Sequence, residues 1–305
     1  MRRSAELGVL AATAVAFAVF AAFAPHFSSA ENLVNVSLQA SITAIIAAGM
    51  TFVILTGGID LSVGSVVALS GIATTAALSA GAPLPLAILA GMGFGALSGG
   101  IAGLLVARFS VAPFIVTLAL MTVWRGVAFV ATGGRPVWEL PASFQQLGSA
   151  RPIGVPFPTL VMAAVFATAH VTLTATRFGR HVVAIGGNLE AARLAGIRTR
   201  RVAAAVYVIC GTLAAASGIL LASRMNSGQP NAGVGYELDV IAAVVVGGTS
   251  LSGGRGSIAG TLLGSLLIAI LRNGLNLLNV DSYVQQIVVG VVILLAVLLD
   301  PIRRR

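Results

Sequence analysis

Of the chain's 305 residues, 57% are hydrophobic and only 9% are charged, whereas soluble domains carry roughly a quarter charged residues. At a mean hydropathy of +1.00, so much apolar surface has no shielded place in a soluble fold, but a bilayer accepts one helix for about every 20 apolar residues. The net charge of +9 comes from 18 basic residues, all arginine, most of them set in short breaks between apolar runs; the positive-inside bias of membrane proteins accounts for them without a nucleic-acid partner.

In chain order the apolar runs fall at 7 to 25, 34 to 56, 62 to 80, 84 to 107, 112 to 131, 157 to 176, 202 to 222, 238 to 250, 257 to 278 and 283 to 299. They predict an all-α polytopic membrane protein of about ten transmembrane helices, some broken or re-entrant, forming one domain over 1 to 305. The first run has two readings. Arg2, Arg3, an apolar stretch and Ser28-Ser29-Ala30 outline a cleavable signal peptide, but Leu7 to Ala24 is longer than the usual apolar region of about 7 to 15 residues, which favours a retained helix. The fourth run holds Gly91, Gly93, Gly95, Gly99 and Gly100, small residues that let helices approach closely in lipid. The run at 238 to 250 is short for a span, as expected of a broken helix whose backbone is shielded by protein or by a water-filled cavity.

With Arg2 and Arg3 in the cytoplasm, ten alternating spans leave Arg108, the loop from Arg177 to Arg201 and Arg303 to Arg305 on the same side. Charge bias and parity agree, so both termini are expected in the cytoplasm. The segments 132 to 156 and 223 to 237 would face outward. Cys210, the only cysteine, lies in an apolar run, and His26, His170 and His181 lack metal-ligand spacing, so neither a disulfide nor a metal site is expected.

Two glycine-rich breaks echo each other. Gly57-Gly58-Ile59-Asp60-Leu61-Ser62-Val63-Gly64 recurs as Gly247-Gly248-Thr249-Ser250-Leu251-Ser252-Gly253-Gly254, each joining one apolar run to the next. Paired breaks of this kind point to transporter repeats whose discontinuous helices meet at the membrane midplane; two independent tight turns are the alternative. Gly57, Gly58, Asp60, Gly247, Gly248, Thr249 and Ser250 are therefore pathway or gating candidates, although Asp60 in a cytoplasmic turn also suits capping of the helix after it. The second break ends Gly253-Gly254-Arg255-Gly256-Ser257, which lacks the spacing of a phosphate-binding loop, so no ATP site or other cofactor is expected on this chain.

The arginine-rich loop contains Gly187-Asn188-Leu189-Glu190-Ala191-Ala192-Arg193-Leu194-Ala195-Gly196-Ile197. Asn188 can cap a short helix from Leu189 to Ala195 and Gly196 can end it. Such a helix, displaying Leu189, Ala192 and Leu194 outside the bilayer, suits docking in a partner's groove; an interfacial connector held by arginine–lipid contacts is the alternative. Arg125, toward the outer end of the fifth span, either faces the pathway or has a structural, snorkelling role. Asn273 and Asn276, three apart on one helix face beside Arg272, offer amides either to sugar hydroxyls or to neighbouring helices.

Here a resemblance becomes specific. Glu190-Ala191-Ala192 followed by Gly196 resembles the coupling loop of ABC importer permeases. Thr56 to Gly64, Gly235 to Gly254 and Asn273-Gly274-Leu275-Asn276-Leu277-Leu278 are similar to the ribose-type sugar permeases of that class, in matching order from about residue 30 onward. The resemblance implies a homodimeric or paired permease core in the lipid of a bacterial inner membrane. It also implies a cytoplasmic ATPase subunit docked on Gly187, Asn188, Glu190 to Leu194, Gly196 and Ile197, and a periplasmic or extracellular solute-binding protein. The cargo would be a small sugar, a ribose-like pentose or a hexose, and ATP would be bound by the partner. A branched-chain amino acid permease of the related family is one rival. An ion-coupled transporter is another, but it would need carboxylates within the spans, and a membrane enzyme would need a reactive cluster that is not present.

Overall fold

The computed structural model describes residues 2–299. Arg303 to Arg305 lie outside the described residues, as do the side chains of Arg2 and Arg3. Thirteen α-helices follow in order: α1 Arg2–Phe23, α2 Ala30–Leu55, α3 Val63–Ser79, α4 Leu84–Phe109, α5 Pro113–Thr132, α6 Ala142–Ser149, α7 Phe157–Ala175, α8 Arg177–Gly187, α9 Leu189–Leu194, α10 Thr199–Met225, α11 Tyr236–Val246, α12 Ile258–Leu277 and α13 Ser282–Leu299. No strand occurs among the described residues, and seven helices are long and apolar enough to cross a membrane. The predicted all-α polytopic class holds. The runs expected at 62 to 80 and 238 to 250 become the shorter helices α3 and α11, and α6 is a surface helix the apolar pattern did not announce.

Local chemistry sets the helix ends. Ser29, Thr176, Asn188 and Ser257 cap α2, α8, α9 and α12, each accepting a hydrogen bond from a backbone N–H of the first turn. Proline sits in the first turn of α4, α5 and α7, where no helical N–H partner is lost. Tertiary packing is built on α2 and α10, which touch each other and most of the remaining helices. Along α4, Gly95, Gly99 and Gly103 recur every four residues and let its backbone touch α10, while Gly91 one turn earlier meets Ser70 and Thr74 of α3; a Cβ at Gly103 would lie 2.7 Å from the Ala204 Cα. Gly93, by contrast, meets nothing within 4 Å.

The helix α1 is packed along α12. Val9 is buried with Val246 and Leu267, Glu6 accepts a hydrogen bond from the Ser257 hydroxyl at 2.6 Å, and Phe20 covers Gly274. Two surfaces of the bundle differ in charge. One, the arginine-rich face, carries Arg108, Arg177, Arg180, Arg193, Arg198, Arg200, Arg201 and Arg255; the other carries α6, the 226–235 segment and Arg224 at the end of α10.

Candidate functional site

The two glycine-rich breaks close their helices with the same hydrogen-bond pattern. Gly57 N donates to Ile54 O and Gly58 N to Val53 O; Gly248 N donates to Val245 O and Thr249 N to Val244 O. Gly57 and Gly248 both take the left-handed conformation, at φ 83° and 89°, that glycine adopts without strain. The geometric equivalence is therefore Gly57 with Gly248 and Gly58 with Thr249, one residue away from the register in which the letters align, because the backbone of the helix end repeats and the side chains do not.

Beyond these turns the copies diverge. The second stays at the arginine-rich face, folded by Ser250 N to Arg255 O and Gly253 N to Ser250 O, and meets the first where Gly254 N donates to Leu55 O at 2.9 Å. Gly186, at the end of α8, is wedged against Leu55 O and Gly254 N, with no room for a side chain. A cavity of about 350 Å³ runs between Gly186-Gly187 and the Ser250 to Arg255 turn. Another of about 310 Å³ lies between Thr56 to Gly58, the α4–α5 turn and Leu189, Arg193 and Arg200. One junction thus joins Gly57, Gly58 and Ser250 to the base of α8 and α9, while Thr249 packs on Gly256 and Gly247 on Gly260 of α12, and Gly248 is not brought to that junction.

The first break instead rises into the bundle as α3 begins. Gly58 packs on the Tyr207 hydroxyl, and Ile59 O accepts from Thr117, one turn inside α5. Asp60 was expected in a turn at the cytoplasmic surface; it is buried, 1% exposed, inside the bundle. Its Oδ1 accepts from Ser62 N at 2.9 Å and Ser62 Oγ at 2.6 Å, which closes the start of α3.

From the opposite face the 226–235 segment descends beside α3. Gly228 lies against Ile72 and Thr75, and Gly233 against Gly64 and Val67, roughly 12 Å deeper at 1.5 Å per helical residue. Consequently α11 starts at the depth where α3 starts, and Gly64 meets both Gly233 and Glu237. Arg125 holds the descending segment: its Nη1 donates to Pro230 O at 2.6 Å and Ala232 O at 2.8 Å. Of the two roles open to Arg125, this contact is the structural one.

The predicted short helix appears as α9. Asn188 Oδ1 accepts from Ala191 N at 2.9 Å, and Gly196 turns the chain at φ 79°. Leu194 is 90% exposed and Ala191, Glu190 and Arg193 are also outside, the latter two joined at 2.6 Å. Gly187, Leu189 and Gly196 are exposed and Ile197 is half-buried. Ala192 departs from its expected display, because at 4% exposure it is the residue that anchors α9 to the core.

Asn273 is buried, and its amide exchanges two hydrogen bonds with that of Asn32, at 2.9 and 3.0 Å, tying α12 to α2; Asn276 is exposed. Neither asparagine lines a described cavity. The sequence reading missed the polar cavity that does lie beside them. About 180 Å³ in volume, it is bounded by Gln39, Ile42 and Thr43 of α2, Arg224 of α10, Tyr236 and Asp239 of α11, and Ile268, Ala269 and Arg272 of α12. Arg272 Nη2 donates to Asp239 Oδ1. The available signal was a carboxylate at 239 and an arginine at 272 inside apolar runs, which is a functional flag in a membrane.

Comparison with known proteins agrees with this architecture. The family model described as the permease component of branched-chain amino acid transport systems matches residues 32–297. The ribose import permease protein RbsC of Escherichia coli (strain K12) is 48% identical over 295 residues, covering 95% of this chain and 92% of its own. The L-arabinose transport system permease protein AraH of the same strain is 38% identical over 300 residues, covering 98% and 92%. The probable ABC transporter permease protein YphD, also of that strain, is 44% identical over 293 residues, covering 96% and 88%. No solved structure matches the chain. With the match spanning nearly every helix, both broken ones included, the chain belongs to this family of multi-pass ABC importer permeases.

Proposed function

We propose that this chain is the sugar-conducting subunit of an ATP-driven importer, with ribose or a similar pentose as cargo and ATP hydrolysed on a separate subunit. The similarity to ribose and L-arabinose permeases along almost the whole chain is the observation that carries the reading. In this reading the arginine-rich face is cytoplasmic, α9 is the docking element for the ATPase, and a solute-binding protein delivers sugar to the opposite face. Two copies would pair in the inner membrane around the conducting route. The geometry fits a lever: α9 is anchored by Ala192, and α8 ends at Gly186 against both glycine turns, so a push on α9 reaches the start of the α3 break directly.

The test is sugar uptake by cells lacking their own pentose permease and supplied with this chain, its ATPase and its binding protein. Uptake is expected to follow ATP and to survive collapse of the proton gradient while ATP is maintained. Uptake by the purified chain alone in vesicles would overturn the reading. The description of the family model favours one rival, a branched-chain amino acid as cargo; leucine uptake that depends on this chain, with none of pentose, would establish it instead.

A further inference from the structure

The geometry points to the cavity around Asp239 and Arg272 as a solute-contact site within the permease, taking one neutral sugar on its way through. The inference rests on the sugar reading above and adds where, and with which groups, the membrane subunit itself holds its cargo.

Its position comes first. Thr43 lies midway along α2, whose neighbouring Ile42 carbonyl is bonded to Ser217 of α10, and Asp239 lies one turn into α11, just past the meeting of the broken helices. The cavity therefore runs from mid-depth toward the face that carries α6, where Arg224 ends α10. Charged side chains at that depth are costly unless they face water or each other. Here Arg272 is 38% exposed beside the exposed Arg224 while Asp239 is shielded, so the pair meets that need by facing each other and opens toward the end of α10.

The ion pair also leaves hydrogen-bonding capacity unused. Arg272 Nε is buried with no partner, although Nη2 is bonded to Asp239. That nitrogen is enclosed, so the donors the guanidinium offers the cavity are its remaining Nη hydrogens, on a side chain that is 38% exposed. Sugar hydroxyls need a donor and an acceptor together. Arg272 and Arg224 supply donors, Asp239 an acceptor, and Gln39 and Thr43 both, while the Tyr236 ring offers a flat surface to the sugar's C–H face. At about 180 Å³ the cavity is large enough for one monosaccharide.

The sole native cysteine, Cys210, is buried, so an introduced thiol can be read against a quiet background. Thr43→Cys in membranes holding the full chain is treated with a membrane-impermeant methanethiosulfonate applied from the face opposite the arginine-rich one. Labelling is expected, slowed about threefold by D-ribose at twice its dissociation constant, when two thirds of sites are filled, and unaffected by L-leucine. Asp239→Asn in the same background is expected to keep labelling and lose the protection. Gln39→Cys serves in place of Thr43→Cys if that variant does not reach the membrane. An unlabelled thiol in both, labelling indifferent to ribose, or protection surviving Asp239→Asn each overturns the site while leaving pentose uptake by cells, and with it the functional reading, untouched. Protection by leucine and not by ribose would overturn the site as a sugar contact, and leucine uptake by cells would then decide the cargo.

Discussion

Replacing Gly186 with alanine tests whether the α8 junction transmits motion. The new Cβ would fall on the Leu55 carbonyl, 3.0 Å from its carbon, inside the roughly 3.5 Å at which non-bonded heavy atoms settle. It would also meet Gly254 N, whose hydrogen bond to Leu55 O at 2.9 Å joins the two glycine turns. Overpacking of this kind costs about 1 to 3 kcal/mol, and losing the bond adds about 0.5 to 1.5 kcal/mol. Alanine's helix propensity returns close to 1 kcal/mol, leaving a net loss of about 2 kcal/mol. At about 1.4 kcal/mol per tenfold, the properly seated junction becomes roughly 30-fold rarer. Gly93 in α4 is the control, exposed and with nothing within 4 Å of a Cβ. The assay is ATP-driven pentose uptake normalised to permease in the membrane: Gly186→Ala should fall by more than tenfold and Gly93→Ala should stay within about twofold. Wild-type uptake by Gly186→Ala would refute the junction as a transmission point.

Further predictions follow from individual contacts. Ala191→Asp, on the exposed side of α9, should leave membrane abundance intact and abolish uptake, whereas Ala192→Asp should deplete the protein itself, because it puts a charge where 4% of the residue is exposed; immunoblots of the membrane fraction separate the two. Arg125→Met removes two charge-assisted bonds to the 226–235 segment, together worth about 3 kcal/mol. In that variant, labelling of an added Ala232→Cys from the face opposite the arginine-rich one should accelerate. Asn32→Ala and Asn273→Ala, compared by unfolding in detergent, should couple by about 0.6 to 1.7 kcal/mol. Strict additivity would mean their paired amides contribute nothing.

Much of the fold was legible because a bilayer demands long apolar runs and nothing else in the chain competes with that signal. The short run near 240 correctly announced a broken helix, and Asn188 and Gly196 mark the limits of α9 because capping is local chemistry. Depth was not legible. Asp60 reads as a surface turn residue, since a sequence does not show that the chain climbs into the bundle after Gly58. Ala192 was grouped with the displayed residues for a similar reason: in a helix of under two turns, only the neighbouring α8 and α10 decide which side faces in. The Asp239–Arg272 pair joins positions 33 residues apart, and its cavity exists only once α2, α10, α11 and α12 are assembled.

The brevity of α11 has a consequence for how the protein is made. Eleven residues reach about 16 Å, half of a hydrocarbon core of about 30 Å. Such a segment cannot partition into the bilayer alone as it leaves the ribosome, because the chain before it would strand bare peptide groups in lipid. It can enter only as a hairpin with α12, into a slot already walled by α2 and α3. Synthesis order supplies that slot, since both wall helices are complete some 150 residues before Tyr236 emerges. Slowing or misplacing α3 during biogenesis should therefore leave α11 outside the membrane, even though none of its own residues has changed.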